Sequence, residues 1–563
     1  MMDSEVNPNE GIKARSRFLR GTLQASVADP LTGALSPDDA QISKFHGFYE
    51  QDDRDLRRDR QARFLEPHYS FMLRARLPGG VCSPTQWLAI NAVGRELGNG
   101  SIRLTTRQTF QYHGILKRNL KPLIQRINAA MIDSIGGCGD VNRNVLCGAN
   151  PEQSALHATV HDWSRRISEH LLPQTRAYHE IWLDGEPVAG GESEPVYGAT
   201  YLPRKFKTAV AIPPHNDVDV YTNDLGFVAI ADGDELLGFN VLAGGGMGTT
   251  HDDTSTFPRL ADELGFIEPR HVLAVAEAVL TTQRDFGNRV SRRHARLKYT
   301  IERIGLDNFR HEVEKRAGVT FEAPRAVKFR THGDRFGWHR NRDGSWHLTL
   351  YIENGRVQDD TNNRLMTGLR EIAQVHRGDF RITANQNLVV AGIADHERPA
   401  IEALAAEHGL LADRHSPTRL ASIACVALPT CPQAMAEAER YFPALLDKVE
   451  KLATRHGIAR QAIVLRMTGC PNGCARPFVA EIGLVGKGPG RYNLHLGGDG
   501  TGRRIARLYR KNLDEGAVLD TLDELFGRYA SGSQTNESFG DFVIRDGIVA
   551  AVTNPAEDYH ETT

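Results

Sequence analysis

Four cysteines near the C-terminal end carry the clearest chemical pattern in this chain. Cys425 and Cys431 lie in ACVALPTCP with C-x5-C spacing, and Cys470 and Cys474 lie in TGCPNGCARP with C-x3-C spacing. Clustered thiolates bind iron–sulfur clusters or zinc. A proline and a glycine lie between the last two cysteines and favour a tight loop over a helix.

Other interpretations of these cysteines are inert buried thiols, a disulfide and structural zinc. Four of the seven cysteines fall between residues 425 and 474, which argues against scattered buried thiols. Zinc sites usually use C-x2–4-C pairs, so C-x5-C fits zinc poorly. An odd cysteine count without an apolar export signal predicts a reducing cytoplasm, which disfavours disulfides. The pattern favours an iron–sulfur cluster, and Cys82, Cys138 and Cys147 are interpreted as buried or inert.

The composition is that of an ordinary soluble protein with several domains. The chain has 563 residues, 40% hydrophobic and 25% charged, with a net charge of -2. This length predicts three or four domains, and the charge gives no reason to expect nucleic acid or a membrane surface as partner. No apolar run is long enough to span a membrane. GGGMGTT (244–250) lacks the G-x-G-x-x-G spacing, so NADPH is not expected to bind here.

The elements that would position these cysteines belong to an internal duplication. Strand–helix–strand patterns occur at 68–115 and again at 345–393. Gly100-x-x-Arg103-x-Thr105-x-x-Gln108 recurs, at a constant offset of 278, as Gly-x-x-Arg-x-Thr-x-x-Gln from residue 378. The order and spacing indicate that one α/β unit has been copied.

The segments that follow each copy also correspond. NVLAGGG (240–246) and NLHLGGD (493–499) share Asn-x-x-x-Gly-Gly. DVNRNVLCGANP (140–151) occupies the place of SIACVALPTCPQ (421–432), and YLPRKFKTAVAIPP (201–214) that of IVLRMTGCPNGCARP (463–477). The first half thus carries Arg and Lys where the second carries Cys. We interpret this as one copy holding a metal centre and the other a basic pocket.

Basic residues interleaved with apolar strand residues form the second chemical pattern. They are Arg74, Arg76, Arg103, Arg107, Arg143, Arg204, Lys205 and Lys207. Arg74 and Arg76, two apart in a predicted strand, are expected to point the same way. Each could be a solvated surface charge. If buried, such cations need an anionic partner, which a small oxyanion or a polycarboxylate cofactor would supply.

The chain resembles the siroheme-dependent sulfite and nitrite reductases over nearly its whole length. The segments that carry the resemblance are FLRGTL (18–23), FHGFYEQDDRD (45–55), RLPGGV (76–81), SIRLTTRQTFQYHGI (101–115), NRNVLC (142–147), YLPRKFKT (201–208), FRITANQN (380–387) and TGCPNGCARP. TGCPNGC with an upstream C-x5-C is highly specific for this family. FHGFYEQDDRD resembles the sulfite reductases rather than the nitrite reductases.

The resemblance implies a [4Fe-4S] cluster on Cys425, Cys431, Cys470 and Cys474, with Cys474 also ligating the siroheme iron. It implies four catalytic cations around the substrate: Arg74, Arg143, Lys205 and Lys207. It implies further siroheme contacts from Arg103, Thr105, Arg107, Gln111, His113, Lys298 and Asn472.

The resemblance also implies an activity, which is the six-electron reduction of sulfite to sulfide in assimilatory sulfate reduction and cysteine biosynthesis. Electrons would come from NADPH through a flavoprotein (alpha) subunit in a cytoplasmic alpha-beta hetero-oligomer. The alternatives are a siroheme nitrite reductase, a ferredoxin-dependent sulfite reductase, or a non-catalytic protein whose four cysteines bind a structural metal.

The expected fold class is α+β, internally duplicated and pseudo-twofold. Two ferredoxin-like halves would form one domain, with two larger α/β domains around a shared cofactor site. The expected boundaries are 1–65 for an N-terminal arm that could dock a partner, 66–137 and 336–408 for the ferredoxin-like halves, 138–335 for a siroheme- and substrate-binding domain, and 409–563 for an iron–sulfur and siroheme-binding domain.

Overall fold

The computed structural model of the chain describes residues 6–149, 154–175, 182–183, 186–187, 194–361 and 363–560. These residues form four five-stranded sheets and a two-stranded ribbon. The sheets share two architectures, each used twice, as the duplication predicts. The ribbon consists of β7 (Trp182–Leu183) and β8 (Glu186–Pro187).

The N-terminal segment is folded against the rest of the chain. Its elements are α1 (Pro8–Arg15), α2 (Leu23–Ala28), α3 (Pro37–Ile42), β1 (Phe48–Asp52) and α4 (Arg57–Ala62). The polar sequence led us to expect an arm. Instead Leu19 and Phe45, 0% and 4% exposed, enter a hydrophobic core, and the buried Lys13 ammonium lies 2.5 Å from a Glu10 carboxylate oxygen. Single apolar residues without a helical period anchor this segment, and such anchors leave no periodic signal.

Repeat 1 is a ferredoxin-like half with a short additional strand. Its elements are β2 (Tyr69–Arg74), β3 (Val81–Cys82), α5 (Pro84–Leu97), β4 (Ile102–Leu104), β5 (Phe110–Ile115) and α6 (Leu120–Ala129). Helix α5 begins as the sequence predicts: Ser83 and Gln86 form a capping box, and proline follows the cap. Strand β1 pairs with β2, so the expected boundary at residue 65 falls between two strands of one sheet.

Repeat 2 reproduces this unit. Its elements are β13 (Gly337–Arg340), β14 (Trp346–Leu350), β15 (Arg356–Val357), α11 (Leu365–Val375), β16 (Asp379–Ile382), β17 (Leu388–Ile393) and α12 (Arg398–Glu407). Strand β17 spans the same positions as β5 at the offset of 278. Gln108 and Gln386, which correspond at that offset, both have positive φ angles of 50° and 70°.

The two repeats exchange strands. β3 of repeat 1 pairs with β16 of repeat 2, and β15 of repeat 2 pairs with β4 of repeat 1. The two sheets share one hydrophobic core, in which the Trp87 and Phe380 rings stack with centroids 4.9 Å apart. The two halves therefore form a single domain with pseudo-twofold symmetry.

Each larger domain contains a sheet of the same topology, in which two parallel pairings are followed by two antiparallel ones. The first sheet comprises β6 (Leu146–Cys147), β9 (Thr208–Ala211), β10 (Leu225–Asp232), β11 (Glu235–Ala243) and β12 (Asp262–Ile267). The second comprises β18 (Ile423–Ala424), β19 (Leu465–Thr468), β20 (Ile482–Gly488), β21 (Arg491–Leu496) and β22 (Arg507–Leu513). The shared Asn-x-x-x-Gly-Gly motif ends β11 and β21, and its first glycines have φ angles of 90° and 95°.

Helices cover both of these sheets. The first domain has α7 (Ala155–His170), α8 (Val272–Phe286), α9 (Leu297–Ile304) and α10 (Leu306–Ala317). The second has α13 (Pro417–Leu420), α14 (Phe442–Arg455), α15 (Glu515–Gly532), α16 (Phe539–Arg545) and α17 (Pro555–Asp558). No helix in the described ranges combines the length and the apolar character needed to cross a membrane.

The strand correspondence corrects one expectation about the duplication. β9 and β19 hold the same place in their sheets, but Lys205 and Lys207 come before β9, whereas Cys470 and Cys474 follow β19. The cations therefore do not replace the cysteines at equivalent positions. They occupy the opposite ends of equivalent strands.

Candidate functional site

The four cysteines lie on loops that follow two neighbouring parallel strands. Cys425 follows β18, and its N–H donates to Met467 O of β19 over 3.1 Å. Cys470 follows β19 directly, because only Gly469 separates it from the strand's last residue. Loops at the carboxyl ends of adjacent parallel strands meet at one sheet edge, so the fold brings the distant cysteine pairs together.

Glycine is required twice in the second cysteine loop. The Gly469 N–H donates to Cys425 Sγ over 3.3 Å, and a Cβ at residue 469 would lie 2.5 Å from the Ala427 side chain. Gly473 has a φ of +62°, and a Cβ there would lie 2.9 Å from Phe478. The two glycines allow the loop to fold back tightly on the first cysteine loop.

The cysteines lie within electrostatic range of one another. Burial raises the pKa of the Cys425 thiol, and Cys474 and Cys470 raise it further. Burial, then Cys474, raises the pKa of Cys470 to about 12, although Asn472 opposes this rise by donating from its backbone and side chain. The pKa of Cys431 is raised by burial and by Cys474. These thiols need a positive centre before they can all ionise.

The donor set consists of four thiols, which are the ligands that an iron–sulfur cluster takes. Within the described part of the chain, no group of three or more His, Cys, Asp and Glu side chains is arranged to hold one metal ion. Burial, and after it Cys474, nonetheless raises the pKa of Cys425, Cys431 and Cys470, so these three thiols lie within electrostatic range of Cys474. Such thiolates suit an iron–sulfur cluster.

A row of polar side chains crosses the sheet of repeat 1. Arg74 is opposite Gln111, Gln111 is opposite Arg103, and Arg103 is opposite Arg356. Cross-strand partners share a face, so the row presents three guanidinium groups to one side. With its oxygen turned toward Arg74, the Gln111 amide accepts from Nη2 at 2.5 Å and from Nε at 3.2 Å.

Arg103 links this row to the first cysteine loop. Its Nε donates to Glu439 Oε2 over 2.9 Å, and its Nη2 donates to Ala424 O over 2.9 Å. Arg356 donates to the same carboxylate, with Nε 2.6 Å from Oε1. The Glu439 N–H donates to Cys425 O over 3.0 Å. Arg103, predicted as a cofactor contact, therefore also holds the Cys425 loop.

Arg107 and Thr105 form a tight turn between β4 and β5. The Arg107 N–H donates to Thr105 Oγ1 over 3.2 Å, and its guanidinium donates to Asn223 Oδ1 at 2.7 Å and to Asn144 O. Burial, with Arg143 and Asp224 acting in opposite directions, lowers the pKa of Arg107 to about 9. The turn thus holds the Arg107 guanidinium between repeat 1 and the larger domain that contains Asn144 and Asn223.

His113 is a buried imidazole with no hydrogen-bond partner. It is 4% exposed, and both ring nitrogens lack a partner in the described part of the chain. Burial lowers its pKa well below the usual range, and Arg356, Arg103 and Arg74 lower it further. It lies two residues from Gln111 on β5, on the same face. Orphaned polar atoms among guanidinium groups fit an anionic ligand with several carboxylates, such as the predicted siroheme.

Arg143, Lys205 and Lys207 complete the basic set. Arg143 Nε donates to Gly139 O over 2.8 Å, and the side chain has no carboxylate partner in the described ranges. Burial lowers the pKa of Lys205 to about 7, helped by Arg204 and Arg296. Burial lowers the pKa of Lys207 well below its usual value, and Lys205 adds to this effect. A bound anion would stabilise the charged form of both lysines.

Lys298 and Asn472, which the sequence predicts as cofactor contacts, make hydrogen bonds to other residues of the chain. Lys298 is 0% exposed, and its ammonium donates to Gly246 O at 3.1 Å, to Gly248 O at 2.9 Å and to Phe257 O. The glycine-rich loop that it holds lies against the second cysteine loop, where the Thr249 N–H donates to Pro471 O over 2.9 Å. Asn472, in that cysteine loop, donates to Cys470.

The basic set and the cysteines converge on Cys474. This is the one exposed cysteine of the seven. Its side chain lies within electrostatic range of Arg74, Lys205 and Lys207, which come from two other domains. It also lines a cavity with Arg107 and Lys207. The structure therefore places a thiol and a group of cations around one space.

Sequence reasoning missed three contributors to this site. Arg54 Nη1 donates to Ala434 O over 2.6 Å, beside Cys431. Glu439 is the carboxylate that binds Arg103, and the buried Arg296–Asp224 pair, 2.8 Å apart, lies beside the lysines. Arg54 lies in the FHGFYEQDDRD segment, so the resemblance could have found it. Glu439 and Asp224 carry no motif signal.

Arg76 does not join the basic set. Strand β2 ends at Arg74, and Arg76 lies beyond it in an isolated antiparallel bridge with Asp133. Arg76 Nη1 donates to Ser168 Oγ over 3.3 Å, and its Nη2 lies 3.8 Å from Asp133. Arg76 thus contacts other residues than Arg74 does, and the expectation that the two side chains point the same way stays a prediction.

Comparison with known proteins identifies relatives over the full chain. A model described as "Nitrite/Sulfite reductase ferredoxin-like half domain" matches residues 65–130 and 339–408. A model described as "Nitrite and sulphite reductase 4Fe-4S domain" matches residues 162–321, a stretch that does not include the four cysteines. Both matches to the half-domain fall on the duplicated sheets.

The chain is 65% identical over 561 residues to the "Sulfite reductase [NADPH] hemoprotein beta-component" of Thiocapsa roseopersicina, with 100% of each chain covered. It is 58% identical over 564 residues to the protein of the same name from Shewanella halifaxensis, also with 100% of each covered. The solved structure of the Mycobacterium tuberculosis NirA protein superposes with a TM-score of 0.78 at 25% identity, covering 96% of each chain. With identity this high over its full length, the chain belongs to the nitrite and sulfite reductase family.

Proposed function

We propose that this chain catalyses the six-electron reduction of sulfite to sulfide. The observation that carries the proposal is the convergence on Cys474 of Arg74, Lys205 and Lys207, cations from different domains. A purely structural metal site would give these cations no role, whereas an anionic substrate beside a redox centre uses all of them. The names of the relatives, which are sulfite reductase hemoprotein beta-components, point to the same activity.

Two resident groups fit the residues described above. Cys425, Cys431, Cys470 and Cys474 would hold a [4Fe-4S] cluster. The carboxylates of a siroheme would contact Arg107 and Gln111 and would satisfy the unpaired ring nitrogens of His113. When bound, the two groups supply electron transfer and an iron that binds the sulfur of the substrate. Arg103, Lys298 and Asn472 would position the loops around them.

The substrate oxyanion would bind between Arg74, Arg143, Lys205 and Lys207. Arg143 is held in place by Gly139 O, so its guanidinium is oriented before the substrate arrives. The cations would withdraw charge from the oxygens, and each oxygen that leaves as water takes up two protons. Lys205, with its pKa lowered to about 7, is half protonated near neutrality and can donate one of them.

The electrons need a second protein. We propose that they come from NADPH through a flavoprotein (alpha) subunit in the cytoplasm, because the relatives are named NADPH enzymes and beta-components. The sequence of this chain has no G-x-G-x-x-G fingerprint for a nicotinamide cofactor. The N-terminal segment is the proposed docking region, since Arg54 and Asp55 connect it to the Cys431 loop and to Arg440.

The experiment that tests the proposal is an absorption spectrum of the purified chain with and without sulfite under reducing conditions. We expect haem-type bands that shift with sulfite, and turnover of sulfite with a small-molecule reductant. Cys474→Ser should remove turnover and disturb both groups, because the Cys474 thiol would help to hold each of them. A chain made with a full siroheme supply that shows no such bands would overturn the proposal.

Substrate preference is tested by comparing kcat/KM for sulfite and nitrite in the same preparation. We expect sulfite to be preferred, because a tri-oxygen anion can contact all four cations at once. A clear preference for nitrite would replace the proposed substrate and leave the site unchanged.

A further inference from the structure

A second basic cavity lies beside the proposed substrate site. It is enclosed by the N-terminal helices and by the loop before Arg143, and it holds about 360 Å³ of empty space, part of it open to solvent. Arg143 lines it, so the cavity reaches one of the four proposed substrate cations. Its other charged lining residues are Lys13, Lys44, Asp140, Arg204 and Arg292.

The lining has five cations and one carboxylate. That carboxylate, Asp140, is already used: Arg292 Nη1 and Nη2 lie 2.8 and 3.0 Å from its oxygens, and the Lys13 ammonium lies 3.7 Å away. Lys13 is further satisfied by Glu10. The carboxylate therefore lies within ion-pair distance of only two of the five lining cations.

The remaining cations have no carboxylate within ion-pair distance among the described residues. Lys44 donates only to the neutral amide of Gln41, over 2.7 Å, and its ammonium lies 5.5 Å from the centre of the Tyr49 ring. Arg204 has no hydrogen-bond or ion-pair partner in the described part of the chain. Arg143 is held by backbone carbonyls alone. Each charge is thus left free to contact an anion.

The electrostatics of this cluster agree with its geometry. Burial and, after it, the charge of Arg292 together lower the pKa of Arg204 to about 10. The cations in this cavity repel one another, and a bound anion would relieve that repulsion. The whole chain carries a net charge of -2, so the positive field is local to this face.

The cavity and the substrate site are connected through adjacent residues. Arg204 precedes Lys205, and Arg204 is the strongest electrostatic influence that lowers the Lys205 pKa. Cys138 contacts Arg74 at 3.0 Å and also acts on the charge of Lys44. An anion in this cavity would therefore lie next to Arg143, which also belongs to the proposed substrate site with Arg74.

We propose that this cavity is an anion-capture subsite, in which Lys44 and Arg204 bind the sulfite oxyanion before it passes to Arg143 and Arg74. The inference rests on the proposed function, because it assigns the route by which that substrate arrives. It also assigns a role in the site to the N-terminal segment, whose α3 and the residues after it form one wall of the cavity.

The test compares the double variant Lys44→Gln/Arg204→Gln with the unaltered holoenzyme. Below pH 7, where Lys205 is protonated in both proteins, we expect kcat/KM for sulfite to fall about 10-fold or more at low ionic strength, and kcat at saturating sulfite to change less than about twofold. The dependence of kcat/KM on salt should become shallower, since fewer charges attract the anion. Arg165→Gln, which removes an exposed cation from α7, should change none of these values.

A second measurement separates capture of an anion from damage to the fold. The association rates of sulfite and of uncharged carbon monoxide with the reduced holoenzyme are followed by stopped-flow absorbance. We expect the double variant to slow sulfite and to leave carbon monoxide unchanged. Equal slowing of both ligands, or no slowing of sulfite, would overturn the proposal. If the unaltered holoenzyme bound carbon monoxide but neither bound nor reduced sulfite, the proposed function would fail as well.

Discussion

Arg103 of repeat 1 lies 2.9 Å from Glu439, and this ion pair joins the duplicated sheet to the loop that carries Cys425. Arg103 is 4% exposed, and its side chain meets the carboxylate of a residue 336 positions away in sequence. Arg356 of repeat 2 binds the same carboxylate at 2.6 Å. One acidic side chain thus fixes both repeats relative to a cysteine loop.

Glu439→Gln should therefore destabilise the fold and loosen the cysteine loop. Removing the carboxylate leaves the buried Arg103 and the partly exposed Arg356 without a counter-charge, which costs about 3–5 kcal/mol. Denaturant unfolding measures the loss, and iron per chain measures the effect on the cluster. The exposed pair Arg165–Glu169 is the control, because Arg165→Gln should cost less than about 1 kcal/mol. Equal effects of the two substitutions would contradict the assigned role.

His113→Phe should have opposite effects on the chain without siroheme and on the holoenzyme. Without siroheme, the variant removes an unpaired buried imidazole, so the free energy of unfolding should rise by about 1–3 kcal/mol. In the holoenzyme, the variant removes a contact, so siroheme content should fall. Thermal unfolding of the siroheme-free chain and the pigment content of the purified protein measure the two effects. Undiminished siroheme content would exclude His113 as a contact.

Lys205 should govern the pH dependence of sulfite capture. Burial beside Arg204 and Arg296 lowers its pKa to about 7, so the residue loses its charge as the pH rises through about 7. Because kcat/KM reports groups of the free enzyme, kcat/KM for sulfite should fall above that pH. The arginine of the Lys205→Arg variant stays charged, so kcat/KM of this variant should fall less steeply above pH 7 than that of the unaltered enzyme. Its kcat should drop at all pH values, because the arginine does not donate a proton. Sulfite's own ionisation affects both proteins equally, and identical profiles would refute the assignment.

Arg54→Ala should make the cysteine-bound centre more labile. Arg54 donates to Ala434 O at 2.6 Å, its N–H donates to Pro429 O at 3.3 Å, and its charge favours the Cys431 thiolate. Residues that orient ligands in this way typically change metal affinity by about 10-fold or more. The decay of cluster absorbance in the presence of a chelator measures the change. Arg57→Ala, which removes a half-exposed partner of Asp52, should leave the decay rate unaltered.

The sequence predicted the repeat well because its signals are local. The offset of 278 places β5 on β17 and Gln108 on Gln386, and the Ser83 cap begins α5. The N-terminal segment could not be predicted in this way, since Leu19 and Phe45 are isolated apolar residues whose partners lie in other domains. Long-range packing of single residues leaves no period in the sequence.

The sequence supplied the proposed ligands of the site but not their supports. The motifs predict the four cysteines as cluster ligands and the basic residues as substrate contacts, because the spacing of the motifs is specific, and both assignments stay predictions. Glu439 and Asp224 carry no motif, and their roles come from ion pairs across 336 and 72 positions. The structure also shows an asymmetry between the repeats: Gln111 and His113 correspond at the offset to Val389 and Ala391. The second repeat thus lacks the two polar groups that line the first.

The exchange of β3 and β15 has a consequence for how the two copies can diverge. Each copy completes the other's sheet, so a copy made alone would present an open strand edge and lose part of its core. Neither copy can therefore be deleted or replaced independently of its twin. This mutual dependence ties the second copy to the first even though its own sheet lacks those polar residues, so the second copy serves as a scaffold for the first.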